Sequence, residues 1–344
     1  MKRFPIADFR LWIGAPAIFI VALALALLAA PLAVGAQQAG KVYRIAYVTF
    51  PASPAPFILT GLQAFRHALR DLGWIEGQNV VIEMRTGVSG KNLQEVFAQV
   101  VREKFDLIVT SSTPSALAAK GATTTIPIVM AEACDPLVCG VVDSLAHPGG
   151  NVTGLALMAS EVAGKRIEFL KEIVPGLRRV AAIGGPGTKA FCAGVAILTQ
   201  YEATARALGI TLQAVELIGV DRYDAAFAAL KKDGVGALAM AEGPGIDVES
   251  PQIAAAALKH GLATVFPYGA QVQTGGLMSY GTNLIGMWQR AAHFVDRILR
   301  GAKPGDLPVE QPTKFDLIIN LKTAKALGLT IPPALRIRAD EVIE

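Results

Sequence analysis

The residues whose types and spacing suggest chemistry begin with Thr110–Ser115, a run that reads TSSTPS and carries five hydroxyl side chains. It follows the apolar strand pattern Leu107–Thr110, and Pro114 stands where proline is common, in the first turn of a helix. A helix start favours an anion, and hydroxyls without Lys or Arg suit a carboxylate better than a polyphosphate. Simple helix capping by Ser112 or Thr113 is the alternative interpretation. The candidate ligand-binding residues here are Ser111, Ser112, Thr113 and Ser115.

Carboxylate and tyrosine side chains follow other predicted strands. Asp135, in the segment Glu132–Pro136 after the fourth strand, can cap the next helix or face a ligand. Glu242, in the loop AEGPG, can meet an amino group or be an exposed loop residue. Tyr268 and Tyr280 flank a short strand pattern, where a tyrosine ring can contact an apolar ligand group or pack in the core. All four are candidates because open parallel sheets bind ligands beyond the carboxyl ends of their strands.

Catalytic and cofactor motifs are absent from the sequence. The four histidines are far apart along the chain, and no G-x-S-x-G, H-E-x-x-H or Walker pattern occurs. The turn Gly185–Ala190 (GPGTKA) fits the dinucleotide pattern G-x-G-x-x-A by its letters. The proline inside the turn and the missing acidic residue about twenty positions later weaken that interpretation. We therefore expect no catalytic residues, no cofactor and no metal site.

The composition is that of a globular protein long enough for two domains. The chain has 344 residues, of which 52% are hydrophobic and 17% charged, which excludes a disordered chain. The formal net charge is +4 and the charges are scattered. No nucleic-acid-binding surface is indicated.

Residues 1–36 have the organisation of a secretory signal peptide. Met1–Arg3 is basic, Leu11–Ala33 is apolar, and Val34–Ala36 supplies small residues before a cleavage site. We expect cleavage after Ala36 and a periplasmic mature protein. An uncleaved membrane anchor is the alternative, because the apolar run is long enough to span a bilayer.

Three cysteines, Cys134, Cys139 and Cys192, would lie in an oxidising compartment after export. An odd count forbids complete internal pairing. Cys134 and Cys139 are close enough in sequence to form a disulfide if the loop folds back. Small buried thiols are the alternative.

Strand and helix patterns alternate along the mature chain. A first series starts with the strand pattern Val42–Thr49, and a second series follows the glycines before Asn151. Later patterns predict a helix over Leu284–Leu299 and a strand over Phe315–Asn320. Such alternation produces parallel sheets covered on both faces. We therefore predict an α/β fold of two Rossmann-like lobes with parallel sheets, joined by a hinge of several strands.

The boundaries of the lobes follow from where the two series meet. We expect residues 41–155 with about 275–311 in lobe 1, and residues 156–274 with about 312–344 in lobe 2. This division sends both the strand Leu277–Tyr280 and the helix that follows it back to the first lobe.

Several stretches of sequence are similar to a known family. The phrases GGLMSYG (275–281), DRILRGAKPGDLPVEQPTKF (296–315) and INLKTAKALGLTIPP (319–333) resemble the periplasmic solute-binding proteins of ABC importers, in the tryptophan/phenylalanine-binding-like group. The likeness continues through HPGGNVTGLA (147–156) and GKRIEFLKEIVPGLRRVA (164–181). It implies the type I periplasmic-binding-protein fold. It also supports positions near the cleft for Asp135 and Tyr280, whereas the loop Gly184–Ala190 departs from the family's pattern.

The function implied by the resemblance is transport. The protein would capture a small carboxylate-bearing molecule, an amino acid above all, in an interlobe cleft and deliver it to an ABC permease with separate ATPase subunits. We expect a monomer that is not an enzyme and does not bind nucleic acid. A ligand-presenting sensor domain for a membrane receptor is one alternative, and an α/β enzyme that uses the GPGTKA turn is another.

Overall fold

Two β-sheets organise the described part of the chain. The computed structural model describes residues 41–50, 56–87, 90–185, 187–217 and 219–344. Residues 43–344 form one unit of contacts. The predicted signal peptide, residues 1–36, lies outside the described residues. Within the described ranges, no helix has both the length and the apolar composition needed to cross a membrane.

The first lobe is built on a five-stranded parallel sheet. Its elements are β1 (Tyr43–Thr49), α1 (Pro56–Asp71), β2 (Val80–Thr86), α2 (Gly90–Arg102), β3 (Leu107–Thr110), α3 (Thr113–Ala122), β4 (Ile128–Ala133) and β5 (Val152–Ala156). The strands lie in the order β2-β1-β3-β4-β5, and each neighbouring pair is parallel. Short apolar runs such as LIVT in β3 suit strands that are buried on both faces.

The side chains of the strand β1 contribute to two hydrophobic cores, one on each face of the sheet. Ile45 and Tyr47 belong to the core on one face of the sheet, together with Phe65 of α1. Val48 belongs to the core on the other face, together with Phe97 of α2. Successive side chains of a strand point to opposite faces, so a continuous apolar run is required where helices cover both.

The rest of the chain builds a seven-stranded sheet with its helices, and one further helix, Leu284–Leu299, that packs on the first lobe. Its elements are α4 (Ala159–Ile173), β6 (Arg179–Gly184), α5 (Cys192–Ala207), β7 (Thr211–Glu216), α6 (Tyr223–Lys232), β8 (Ala237–Met240), α7 (Pro244–Lys259), β9 (Ala263–Phe266), α8 (Gly269–Gln273), β10 (Met278–Thr282), α9 (Leu284–Leu299), β11 (Phe315–Asn320), α10 (Leu321–Ala326), α11 (Pro333–Arg338) and β12 (Glu341–Ile343). The strand order is β12-β11-β10-β9-β8-β6-β7. Only the β10–β11 pair is antiparallel among these described strands.

The segment after β9 divides between the lobes differently from our prediction. We expected the strand at Leu277–Tyr280 to return to the first lobe with the helix that follows it, but β10 pairs with β9 and β11 in the second sheet. Of these two elements, only the helix α9 returns to the first lobe, where it packs on α1. Gly61 permits this close approach, since a Cβ there would lie 1.4 Å from Trp288 Cε3.

Hydrogen bonding explains why β10 does not extend the first sheet. Its backbone groups find partners on both sides, in β9 and in β11. The edge of β5 is covered instead by the extended link that follows α9, where the Glu310 N–H donates to the Gly154 carbonyl at 2.9 Å. Thr153 Oγ1 also donates to the Leu307 carbonyl at 2.7 Å. The backbone groups of β10 and those at the edge of β5 thus find hydrogen-bond partners without pairing with one another.

The chain passes between the two lobes at several points of the described structure. It crosses from β5 to α4, from β10 to α9, and from the link after α9 to β11. These crossings and the two mostly parallel sheets confirm the predicted α/β fold of two lobes with a hinge of several strands.

A disulfide joins Cys139 to Cys192, whose Cα atoms are 5.3 Å apart. The suggested pairing of Cys134 with Cys139 is therefore wrong, and Cys134 is a half-buried free thiol. In the turn after β4 the Cys139 N–H donates to the Asp135 carbonyl at 3.1 Å, and the folded chain brings Cys139 to Cys192, 53 residues further along the sequence. Cys139 packs against the core of the first lobe, and Cys192 begins α5 of the second lobe. The disulfide therefore connects the lobes.

Candidate ligand-binding site

A cavity of about 320 Å³ lies between the carboxyl ends of the two sheets. Residues that follow β3 and β4 line it from the first lobe, and residues that follow β6, β8 and β9 line it from the second. Leu157 and Leu284, at two of the crossings, line it as well. Parallel sheets bind ligands at this position, and small-molecule sites have volumes of about 300–1,000 Å³. The cavity is therefore the candidate site.

The hydroxyl-rich loop forms one wall of the cavity, through Ser111, Ser112 and Thr113. Ser112 is the N-cap of α3, and its Oγ accepts the Ser115 N–H at 3.4 Å. Thr113 Oγ1 donates to the Cys134 carbonyl at 3.0 Å, which ties this loop to the end of β4. Ser111 Oγ is buried and has no hydrogen-bond partner among the described residues. One loop therefore both caps α3 and lines the cavity.

A buried ion pair forms part of the opposite wall. Arg166, on α4, pairs with Glu242, which follows β8 and lines the cavity. Arg166 Nε also donates to the Tyr280 carbonyl at 2.8 Å, and its Nη1 donates to Tyr201 Oη at 3.2 Å. Tyr201 in turn donates to the Met240 carbonyl at 2.8 Å. This network fixes the Glu242 side chain from behind the cavity.

The electrostatics of Arg166 are dominated by these partners. Burial alone would lower its pKa, but the Glu242 carboxylate and the Tyr201 oxygen raise the pKa above its usual value, so the guanidinium stays charged. We did not predict this residue from the sequence. A signal was present, since Arg166 follows the buried Val162 by four residues and precedes the buried Leu170 by four.

Two further carboxylates line the cavity without such a counter-charge. Glu132, in β4, is 9% exposed, and its Oε2 has no hydrogen-bond partner among the described residues. Burial raises the Glu132 pKa well above its usual range, and the charge of Asp247 adds to the effect. Asp247, in the first turn of α7, accepts a hydrogen bond from Gln271 Nε2 at 3.0 Å. Burial and the Glu242 charge raise the Asp247 pKa to about 8, although the Gln271 hydrogen bond acts in the opposite direction.

The other predicted site residues are divided between the cavity and its surroundings. Tyr268 lines the cavity, and its backbone N–H is held by Gln271 Oε1 at 3.0 Å. The lining does not include Ser115, Asp135 or Tyr280, all of which are described. Ser115 pairs with the Ser112 hydroxyl, Asp135 accepts from Ser160 Oγ at 2.8 Å, and the Tyr280 ring packs on Phe169 at 5.0 Å.

Apolar and glycine residues complete the lining. Phe50 and Phe191 contribute aromatic rings from opposite lobes. The loop after β6, whose glycine pattern fits the dinucleotide motif by its letters only, brings Gly187 and Thr188 to the cavity. Gly194 lets α5 start against this loop, because a Cβ there would lie 2.1 Å from the Thr188 carbonyl oxygen.

The fold and the cavity together define a class of protein. A cavity between two α/β lobes, with hydroxyls, carboxylates and aromatic rings from both sides, is suited to hold a small molecule. Among the described residues, no group of three or more His, Cys, Asp or Glu is placed to bind a metal ion. The arrangement is that of a two-lobe binding protein.

Comparison with known proteins gives the family. The family model for ABC transporter substrate binding proteins matches residues 54–343, so the chain belongs to that family. This confirms the resemblance noted in the sequence. The family consists of substrate-binding proteins, and a relative from Clostridioides difficile is also named as a binding protein.

Relatives of known name or structure support the assignment. The chain is 27% identical over 276 residues to a tyrosine-binding protein of Clostridioides difficile strain R20291, covering 78% of this chain and 76% of the relative. A conserved domain protein from Vibrio cholerae has a similar structure, with 26% identity, a TM-score of 0.81, and 88% of this chain and 100% of that chain covered. An ABC domain from Streptococcus pneumoniae, solved in complex with L-Trp, has the same fold at 23% identity, with a TM-score of 0.80 and the same coverage.

Proposed function

We propose that the protein is an exported binding protein that captures an amino acid in the interlobe cleft and delivers it to an ABC importer. The observation that carries the proposal is the cavity, which combines a hydroxyl-lined helix start, carboxylates and aromatic rings from two lobes. The relatives support the ligand class, since one is named for tyrosine and another was solved with L-Trp.

The ligand carboxylate is proposed to bind at Ser111, Ser112 and the start of α3. Pro114 has no N–H, and the Ser115 N–H already binds Ser112 Oγ, so this helix start offers fewer backbone donors than most. The hydroxyls therefore take a larger share of the anion contacts, with the Thr113 N–H beside them. A hydrogen bond to a charged group contributes about 1.5–3 kcal/mol.

The apolar part of the ligand is proposed to lie among Phe50, Phe191 and Tyr268, which line the cavity. Aromatic rings offer both contact area and favourable edge-to-face contacts to an aromatic side chain. Glu242 remains one of the proposed site residues, with its carboxylate held in the ion pair with Arg166. Ser115, Asp135 and Tyr280 have a supporting part in the proposal, because each binds a neighbour of the cavity.

Closure of the lobes around the crossings is proposed to enclose the ligand. The lobes would then be residues 43–156 with 283–311, and residues 157–282 with 312–344. This division differs from the one predicted from sequence because β10 lies in the second sheet.

Delivery to an importer requires a protein outside the cytoplasm. Residues 1–36 have the organisation of a signal peptide, so the proposal includes export, cleavage after Ala36, and a monomeric periplasmic protein. The permease and the ATPase would be separate chains.

Calorimetric titration of the purified protein with L-tyrosine, L-tryptophan and L-phenylalanine tests the binding step. At least one of them should bind, and Ser112→Ala should weaken binding about tenfold, since about 1.4 kcal/mol is a factor of ten. Thr199→Ala is the matched control, because it removes an exposed hydroxyl of α5 that does not line the cavity. Failure of all three amino acids to bind would reject the proposed ligand class.

Uptake of the radiolabelled ligand by cells that lack this gene tests the delivery step. Loss of high-affinity uptake, restored by the wild-type gene, is the expected result. Unchanged uptake in the deletion strain, for a ligand that the purified protein binds, would favour the ligand-presenting sensor.

A further inference from the structure

The cavity contains more carboxyl groups than the protein supplies with cationic partners. Glu132, Glu242 and Asp247 line it, and none of the described lining residues is Lys, Arg or His. Arg166 neutralises Glu242. Asp247 accepts a hydrogen bond from the neutral amide of Gln271, and neither it nor Glu132 has an ion-pair partner among the described residues. Two carboxylates are therefore left for the ligand.

These two carboxylates come from opposite lobes. Glu132 lies in β4 of the first lobe, and Asp247 lies in the first turn of α7 in the second. They are close enough for the charge of Asp247 to disfavour ionisation of Glu132. The unpartnered Glu132 Oε2 is buried in a side chain that is itself 9% exposed. Buried polar atoms normally have a partner, so this oxygen points to one that arrives with the ligand.

We propose that Glu132 and Asp247 bind the cationic group of the ligand between the lobes, and that they restrict the cleft to ligands that carry an ammonium group. This assignment rests on the proposed function and deepens it. An ammonium group has three donors, enough to bond both carboxylates at once. A neutral or anionic analogue would bring no cation, so the pair would keep its proton and the analogue would gain no ion pair with it.

The same geometry couples binding to proton release. Without a cation nearby, burial holds a proton on this pair, with the pKa of Asp247 at about 8. An ammonium ligand replaces that proton, so binding near pH 7 should release protons and tighten as the pH rises.

Neighbouring titratable groups do not account for this effect between pH 6.5 and 8. Tyr47, Cys134 and Tyr268 face the pair from β1, from the end of β4 and from beyond β9, and burial raises the pKa of each above its usual value, so they stay neutral. Arg166 stays charged behind Glu242. The pKa of Asp135, raised by burial to about 6, lies below this range.

Matched ligands and isosteric variants test the proposal. Calorimetry at pH 7.5 would compare L-tyrosine with its deaminated analogue 3-(4-hydroxyphenyl)propionate and its decarboxylated analogue tyramine. Loss of the amino group should cost at least tenfold in affinity, and Glu132→Gln and Asp247→Asn should each weaken L-tyrosine about tenfold. Both variants should leave the deaminated acid within about threefold. Glu310→Gln is the control, because this carboxylate is paired with Arg290 and does not line the cavity. Titration in two buffers of different ionisation enthalpy should show proton release for the wild type and less for Asp247→Asn.

Each outcome decides between the two proposals. Equal binding of L-tyrosine and the deaminated acid, or unchanged affinity in both variants, overturns the acidic pair and leaves the amino-acid cleft standing. Binding of none of the aromatic amino acids or their analogues by the wild type overturns the proposed function and the acidic pair together. Both variants replace a carboxylate by an amide of the same shape, so circular dichroism can verify that they fold.

The disulfide carries a second and independent inference. Cys192 lies between Phe191 and Ala193, which both line the cavity, and Cys139 belongs to the turn after β4. The lobes are thus joined by a covalent link at the cleft in addition to the backbone crossings. We infer that this link limits how far the cleft opens and so slows the exchange of ligand.

Small-angle scattering of the ligand-free protein tests this link without any choice of ligand. The comparison is between Cys134→Ser, which keeps the disulfide and removes the free thiol, and the triple variant with Cys139→Ser and Cys192→Ser added. The triple variant should show a larger radius of gyration. Equal radii in the two proteins, with unchanged circular dichroism, would overturn the inference.

Discussion

Two groups of buried carboxylates in one cavity have opposite electrostatic surroundings. Glu242 is held by Arg166, which is itself tied to Tyr201 and to a backbone carbonyl. Glu132 and Asp247 face the same cavity with hydrogen bonds from no cation among the described residues. Carboxylates that line one cavity therefore have two roles: Glu242 belongs to a structural ion pair, whereas Glu132 and the half-buried Asp247 have no cation beside them. The partner of a buried carboxylate, more than its depth, decides what it can do.

Removal of Arg166 should give the largest effect, because it converts the structural carboxylate into an unpaired one. Arg166→Met should lower the free energy of unfolding by about 3–5 kcal/mol, since Glu242 would remain buried without a counter-charge. Urea unfolding monitored by circular dichroism measures the change. Arg166→Met combined with Glu242→Gln should recover part of the loss. A decrease below about 1 kcal/mol in the single variant would contradict a structural role for the pair.

The stability of the ligand-free protein should depend on pH through the acidic pair. The folded protein holds the Asp247 proton up to about pH 8, whereas an unfolded aspartate has a pKa of about 3.9. Stability is therefore highest at low pH within this window and falls as the pH rises toward 8, because the folded state binds more protons than the unfolded state. Between pH 6 and 7.5 we expect a loss of about 2 kcal/mol, at most about 1.4 kcal/mol per pH unit for one group.

Urea unfolding across this pH range, in wild type and in Asp247→Asn, measures the contribution. The variant should show a flatter profile, because an amide does not titrate. Asp135→Asn is the control, since the pKa of Asp135 is raised only to about 6. A wild-type stability that rises with pH would contradict the assignment.

The Ser112 hydroxyl, a neutral group that lines the same cavity, should contribute less to stability than the charged groups. Ser112→Ala removes the N-cap of α3 and should destabilise the protein by about 0.5–1 kcal/mol, because the Ser115 N–H loses its acceptor. Thermal unfolding of Ser112→Ala and Ser112→Gly separates the cap from the side chain, as glycine replaces a capping residue at a cost of only a few tenths. Equal losses in the two variants would argue against capping.

The smallest effect is expected from an arginine–carboxylate pair at the surface. Arg290 and Glu310 are linked by hydrogen bonds of 2.7 and 2.6 Å, yet their side chains are 46% and 36% exposed. Water and salt screen such a pair, so Glu310→Gln should change the free energy of unfolding by less than about 1 kcal/mol. A loss as large as that of Arg166→Met would remove the contrast between buried and exposed pairs.

One long helix and one apolar strand were predicted with their observed bounds. The helix at Leu284–Leu299 and the strand at Phe315–Asn320 have the predicted bounds. The short elements α11 and β12, six and three residues long, are too short for a pattern to identify them. The destination of β10 was also beyond the sequence, because its apolar pattern suits the edge of either sheet.

The candidate site was predicted in part. Ser111, Ser112, Thr113, Glu242 and Tyr268 line one cavity because each follows a parallel strand, and the carboxyl ends of such strands meet at one edge. Asp247 was not singled out: the sequence pattern starts the helix only at about Val248, whereas the structure starts it at Pro244 and places Asp247 in its first turn. Arg166 was missed because its role depends on Glu242, which is 76 residues away in sequence.

The sequence by itself determined the α/β class, the two series of elements and the hydroxyl-rich helix start, because these follow from local periodicity and from residue types that are adjacent in the chain. Only the tertiary structure decided which carboxylate has a cation and which cysteines pair. Arg166 reaches Glu242, and Cys139 reaches Cys192, across separations that no local pattern records. Interactions between distant segments depend on how the two lobes pack, and that packing places Glu132 and Asp247 in one cavity without a neutralising partner.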